Sequence, residues 1–211
     1  MKLEFKECPE AVDQARLFGF KGWQEYVAAV PSPLAAVTGY KSNGKENVTM
    51  QSWCAVHGDR VLFMSVERGS HMYGILRERG AAVVNFPTAD TFNRCMRSIE
   101  HNDWDEDEIA ACGLTAEAGG EVDAPRIAEC PLSLECRVLW EHEAGPGSSD
   151  VTVCMRIVNL AVEPGLIRAG RYGGEGYLYN IRSRGDPETG ERLGPEAGVI
   201  ESLGGYDRLP G

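Results

Sequence analysis

Residues 47–76 read NVTMQSWCAVHGDRVLFMSVERGSHMYGIL, and a change of period inside them decides the fold. From 47 to 56, Val48, Met50, Ser52 and Cys54 alternate with Asn47, Thr49, Gln51 and Trp53, the two-residue period of a strand. His57-Gly58-Asp59 turns the chain into a second strand, RVLFMSV at 60–66. Then Met72, Ile75 and Leu76 fall on one helical stripe, with Ser70 in place as N-cap and Gly80 as stop, which predicts a helix within 67–80.

Upstream, LAAVTGY (34–40) predicts a strand hairpinned to residue 47 through KSNGK (41–45), where Asn43-Gly44 is the strongest turn signal in the chain. Downstream, AAVVNF (81–86) is a short buried strand ended by Pro87. TADTFNRCMRSIE (88–100) predicts a helix capped by Thr88 or Asp90, and NDWDEDEIAACG (102–113) a third with acids in its first turn. LTAEAGG and Ala124-Pro125 read as loop; LSLECRVLWEH (132–142) and VTVCMRIVNLAV (151–162) read as long strands. Ahead of all this, PEAVDQARLFGF predicts a helix with Val12, Ala15, Leu17 and Phe18 at helical spacing, continued by KGWQEYVAAV after Gly22. Strands outnumber helices and are joined by hairpins or single short helices. That pattern is mainly β with packed helices (β/α+β), an antiparallel barrel rather than a doubly wound sheet. No repeat and no linker divides the 211 residues, so one domain is expected.

Acids exceed bases by 32 to 21, a formal charge of −11. The short basic runs at 77–80 and 182–185 each sit near acids, so neither nucleic acid nor an anionic membrane is an expected partner. No apolar run approaches a membrane span, and MKLEFKECPEAVDQ lacks the features of a signal peptide, which predicts a cytoplasmic protein. The seven cysteines (8, 54, 95, 112, 130, 136, 154) form no CxxC pair, and Cys54 with His57 finds no second half-site. They read as reduced, mostly buried thiols, with no metal.

No GxSxG elbow, HExxH helix or Walker loop occurs, and the histidines at 57, 71, 101 and 142 lie in different elements. GRYGGEG (170–176) has no strand before it and no amphipathic helix after it, so it is no dinucleotide loop. An enzyme without reactive side chains borrows a cofactor. Two stretches suit one. The polar face Asn47, Thr49, Gln51, Trp53 is unusual for a strand in mid-chain, though a solvent-facing strand explains it equally. Arg68, Gly69 and Ser70 at a helix start suit a phosphate monoester, though a plain helix cap explains them too.

Taken in order, NVTMQSW, SVERGSHMYGIL and VVNFP, then Gly113-Leu114-Thr115, Val122–Ile127 and Pro131–Cys136, resemble the flavin reductase-like family, the FMN-binding split barrels that include flavoredoxin. The resemblance covers about 30–162, leaving 163–211 as a C-terminal extension. It implies a split barrel that dimerises and binds FMN near the subunit interface. Asn47, Val48, Thr49, Met50, Gln51, Ser52 and Trp53 would border the isoalloxazine. Ser65, Glu67, Arg68, Ser70 and His71 would line the ribityl and phosphate, and Asn85 and Phe86 a strand end approaching the flavin. The family's Pro-Pro after the Ser-Trp strand is replaced here by the shorter His57-Gly58-Asp59, which alters a rim of that pocket. The implied activity is electron transfer through FMN from NADH, NADPH or another donor to small acceptors, with no catalytic side chain; the alternative is an electron carrier without a nucleotide site. Tyr172, Tyr177 and Tyr179 with Leu178 and Ile181 are too apolar for a solvated tail, and are expected to dock on a barrel, their own or a partner's.

Overall fold

The computed structural model describes residues 2–15, 22–28, 30–58, 60–165, 176–180, 184–194 and 197–200. The chain divides into two compact units, Met1–Ser32 with Tyr179–Gly198, and Pro33–Leu178 with Val199–Gly211. The first holds helices Glu10–Ala15 and Trp23–Ala28 and a two-stranded pair, Arg184–Gly185 with Arg192–Leu193. Val12 is buried as its helical position requires; Leu17 and Phe18 lie outside the described residues.

The second unit holds every residue expected to meet a cofactor. In chain order it comprises β1 (Ala35–Tyr40), β2 (Glu46–Gln51), β3 (Cys54–His57), β4 (Val61–Glu67), α1 (His71–Arg79), β5 (Ala81–Phe86) and α2 (Ala89–Met96). After these come α3 (Glu108–Ala111), β6 (Ala116–Ala118), β7 (Pro125–Ile127), β8 (Leu132–Glu143) and β9 (Asp150–Val162). Seven strands form one antiparallel sheet in the order β2-β1-β5-β8-β9-β4-β3. Its first and last strands are consecutive in sequence, joined only by Ser52 and Trp53, so the sheet must curl until its edges meet. Ser65 N donates to Trp53 O at 2.9 Å, and Gln51 Nε2 to Ser65 O at 2.6 Å, across that seam. This is a split β-barrel.

Residues 47–56 are therefore not one strand. The alternation stays in step through Ser52 and Trp53, but the backbone leaves one sheet edge and joins the other. Alternate residues fill the barrel: Ala35 and Val37, Leu62 to Val66, Ala82 and Val84, Leu132 to Cys136, Val151 to Met155, closed by Met72, Ile75 and Leu76 of α1. Gly39 lets α1 approach β1, since a Cβ there would stand 2.6 Å from Ile75 Cγ2. A second cluster on the other side of β1 and β2 packs Ala36 and Val48 against α2 and α3.

The helix expected over 102–113 shortens to four residues capped by Asp107, because the acids ahead of it turn back on their own backbone, as where Asp103 Oδ1 accepts from Asp105 N. Within the expected loop after Leu114, β6 and β7 pair. All seven cysteines are free and six are buried. Among the described residues no helix is long and apolar enough to cross a membrane.

Candidate functional site

The β4–α1 turn forms as the cap signal predicts. Ser70 Oγ accepts from Tyr73 N at 3.2 Å and donates to Glu67 O at 2.7 Å, while Gly80 (φ +64) ends the helix. Four N-terminal N–H groups of any helix lack intrahelical partners, and the aligned peptide dipoles add positive potential there. Arg68 stands beside this end. Its Nη2 reaches Glu143 Oε1 at 3.0 Å and its Nη1 the Tyr73 hydroxyl at 3.4 Å, with side-chain exposures of 42% for Arg68 and 57% for Glu143. An ion pair that exposed contributes about 0–1 kcal/mol, so a better anion can displace the carboxylate. Nothing lies within 4 Å of where a Gly69 side chain would begin, and Glu67 is exposed, so the turn is open to a ligand.

The first helical residue, His71, faces inward. Its ring stands edge-on to Trp104 at 5.0 Å, and its buried Nδ1 makes no hydrogen bond, lying 3.6 Å from Glu108 Oε1. Glu108 is the centre of a buried polar cluster. Lys41 Nζ pairs with its Oε1 at 2.9 Å and also donates to the Asp103 and Glu106 carbonyls; Val48 N donates to its Oε2 at 2.9 Å. With the Asn47 amide turned so that nitrogen faces Glu108, Asn47 donates to Oε1 at 3.2 Å and accepts from Thr49 Oγ1 at 3.0 Å. The polar face of β2 is thus no solvated face, because Asn47 and Gln51 are buried and bonded within the protein.

These bonds decide which expected residues still have capacity for a ligand. Gln51 is taken up by the barrel seam, its Oε1 also accepting from Trp53 N. Asn85 donates to Ala36 O and Thr38 Oγ1 and accepts from Ile127 N and Ser133 Oγ, so its amide is saturated and tethers the 124–127 segment to the sheet. Ser52 and Val48 are buried, Thr49, Met50, Trp53, Ser65 and Phe86 half-buried. Side-chain contact from Thr49 and Trp53, with backbone from the rest, is what the 47–53 segment can offer. Phe86 lies apart from Arg68 and His71, packed on Tyr177 at 5.6 Å. Tyr177 and Leu178 therefore dock on their own barrel, as one branch of the tail expectation has it; Tyr172 and Ile181 lie outside the described residues.

Sequence reasoning missed Lys41 and Glu108, whose pairing spans 67 positions and leaves no local pattern, and it missed what Glu135 does. Glu135 is buried and accepts from Gly120 N at 3.0 Å, Glu121 N, Val122 N, Asn159 Nδ2 and the Arg126 guanidinium. Burial alone pushes its carboxyl up, but the Gly120 N–H, Arg126 and the other donors outweigh it and bring the pKa down to about 2. A signal existed: Ser133 and Glu135 share one face of the strand's first five residues, whose other members, Leu132, Leu134 and Cys136, are apolar. The barrel thiols are inert, burial pushing Cys54 up to about 11 and Cys136 up to about 12.

Comparison with known proteins agrees with this architecture. The sequence model of the flavin reductase like domain matches residues 27–180. An uncharacterized protein of Archaeoglobus fulgidus is 26% identical over 103 residues, 48% of this chain and 58% of that protein. Among solved structures, flavoredoxin of Desulfovibrio vulgaris (Miyazaki F) superposes with a TM-score of 0.63 at 20% identity, covering 83% of this chain and 91% of that one. The FMN-binding protein of Thermus thermophilus gives 0.65 at 17% identity, covering 92% and 100%.

Proposed function

The chain belongs to the flavin reductase-like family, and from that premise we propose that it is an FMN-binding oxidoreductase that takes electrons from a reduced pyridine nucleotide or another donor and passes them to a small acceptor. The observation that carries this reading is the open β4–α1 turn, where an exchangeable guanidinium, a helix N-terminus and His71 meet. One phosphate monoester fits there, and no dinucleotide fingerprint stands elsewhere in the chain, which favours FMN over FAD.

Arg68 would leave Glu143 for the phosphate, the first-turn N–H groups of α1 would donate to it, and Ser70 would keep the turn rigid by capping. His71 would complete the locus from the side facing Glu108. Backbone groups of 47–53 with Thr49 and Trp53 would border the ring. Bound flavin supplies the acceptance and release of electrons; the protein binds and orients it. Residues 47–53 carry no acid or base side chain of their own, and Glu108 behind them is taken up by Lys41, Val48 N and Asn47, in keeping with chemistry that asks for none.

A homodimer belongs to the same proposal. Phe63 and Trp140 pack at 5.8 Å on the outer face of the sheet, and Trp140 remains 42% exposed, a surface suited to a second copy. The shorter His57–Asp59 connection favours one rival, an electron carrier without a nucleotide site.

The test is a visible spectrum of the purified protein, chromatography of the pigment released on denaturation, and anaerobic addition of NADH. FMN bleached by NADH is the expected result. FMN bleached only by dithionite supports the carrier, and FAD, or no flavin after growth with riboflavin, overturns the proposal.

A further inference from the structure

The opposite end of β4 is built differently. There a cavity of about 790 Å³ opens between the β3–β4 turn, the end of β5, the start of β8 and the end of β9. Phe86, Leu134, Ile157, Leu160 and Tyr177 make it apolar, and Arg60 stands at its rim. Of the residues expected to touch flavin Phe86 lines it, beside His57 and Gly58 of the connection expected at the pocket's rim, and seven residues of strand, roughly 23 Å, separate Arg60 from the β4–α1 turn.

Two backbone irregularities meet at this rim. Arg60 has φ +58, the only non-glycine residue with positive φ among those described, in a conformation that costs a side chain about 1 kcal/mol or more. Opposite it the β8–β9 register shifts between Ile157 and Asn159, a bulge, and Ile157 N donates to Arg60 O at 2.8 Å. Bulges and strained residues gather where a chain re-aims side chains for a ligand. The strain is not explained by an ion pair. Arg68, Arg77, Arg79, Arg94 and Arg126 each pair with a carboxylate, whereas the Arg60 guanidinium has no such partner among the described residues. In a protein of charge −11 a cation with no carboxylate partner among the described residues, beside an apolar cavity, favours an anion there.

We infer that this cavity binds a monoanionic, largely apolar molecule of aromatic size, its ring against Phe86 and Tyr177 and its charge on Arg60. The volume lies within the range of small-molecule sites. The inference rests on the cavity's own lining and not on the flavin proposal; the two loci share Phe86 and the expected His57-Gly58 rim, and the titration with and without FMN tells them apart.

Isothermal titration of the full chain, with and without saturating FMN, would use naphthalene-2-sulfonate as the anionic probe and 2-naphthalenemethanol as its neutral counterpart. One site is expected, tighter for the sulfonate. Arg60→Gly keeps a backbone suited to positive φ and removes the charge; it should weaken the sulfonate about tenfold, the size of one charge-assisted contact, and leave the alcohol unchanged. Leu160→Trp, at an exposed rim position, should weaken both by filling the mouth. Absence of saturable binding, equal loss of both probes in Arg60→Gly, or an unaltered Leu160→Trp overturns the inference. Displacement of the sulfonate by FMN also overturns it, because the cavity would then be the flavin's own. A melting midpoint no lower than the parent's in both variants shows that the losses are not unfolding.

Discussion

Lys41–Glu108 and Arg68–Glu143 are ion pairs of almost the same length, 2.9 and 3.0 Å, and both border the start of α1. Their surroundings differ completely. The first is sealed, with side chains 0% and 1% exposed; the second stands in water at 42% and 57%. Distance therefore says nothing about role. A sealed pair has had both charges stripped of water and is held only by its partners, so neither member is available to a ligand. An exposed pair gains little from closing and loses little from opening, which is what a binding guanidinium requires.

The largest effect should come from breaking the sealed pair. Lys41→Met leaves Glu108 charged and buried and also strands the Asp103 and Glu106 carbonyls, and should cost about 3–5 kcal/mol in urea unfolding. Lys41→Met with Glu108→Gln, which removes both charges and keeps an acceptor for Val48 N, should recover a large part of that. A double variant no better than the single would mean that Lys41 acts through its carbonyl contacts and not through the pair.

Glu135 comes next, and its effect has a pH signature. Its folded pKa, about 2, lies below the ordinary carboxylate value, so its stabilisation is present above about pH 4.5 and is lost as pH falls toward 2. Glu135→Gln should cost roughly 2–3 kcal/mol at pH 7, and the gap to the parent should close in acid. A gap constant from pH 7 to pH 2.5 would refute the assignment.

The contrast between the pairs also marks what the sequence could tell. Hairpin, cap and stop were legible at Asn43-Gly44, Ser70 and Gly80, because each rests on the conformational needs of one or two residues. The break at Ser52–Trp53 was not, since the alternation of Val48, Met50, Ser52 and Cys54 continues unbroken while the chain changes sheet edge. Nor were the bonds of Gln51 and Asn85: an amide expected at a ligand was found holding a seam or a tether, with partners 14 and 47 positions away. Arg68 and Ser70 were placed correctly at a helix start, but the cap that the hydroxyl makes and the carboxylate that the guanidinium meets are tertiary facts.

On the exposed side, Arg68→Glu should weaken FMN by about 2 kcal/mol, roughly thirtyfold, with the unfolding midpoint unchanged. Flavin titration decides it, and an unaltered affinity would return Arg68 to the surface.

Glu143→Gln is the smallest change and the most direct probe of the comparison. If Glu143 only parks the guanidinium, removing its charge should alter stability by less than about 1 kcal/mol, as exposed pairs do. It should also free Arg68 and remove a negative charge near the proposed phosphate locus, so FMN should bind slightly tighter, by about threefold or less, with the gain fading as salt rises. The same substitution made on Arg68→Glu should give a smaller gain, because the negative charge is still removed but no guanidinium is left to release. If Glu143→Gln instead weakens FMN, the carboxylate is holding Arg68 in its binding position, and the exposed pair is part of the site and not a competitor for it.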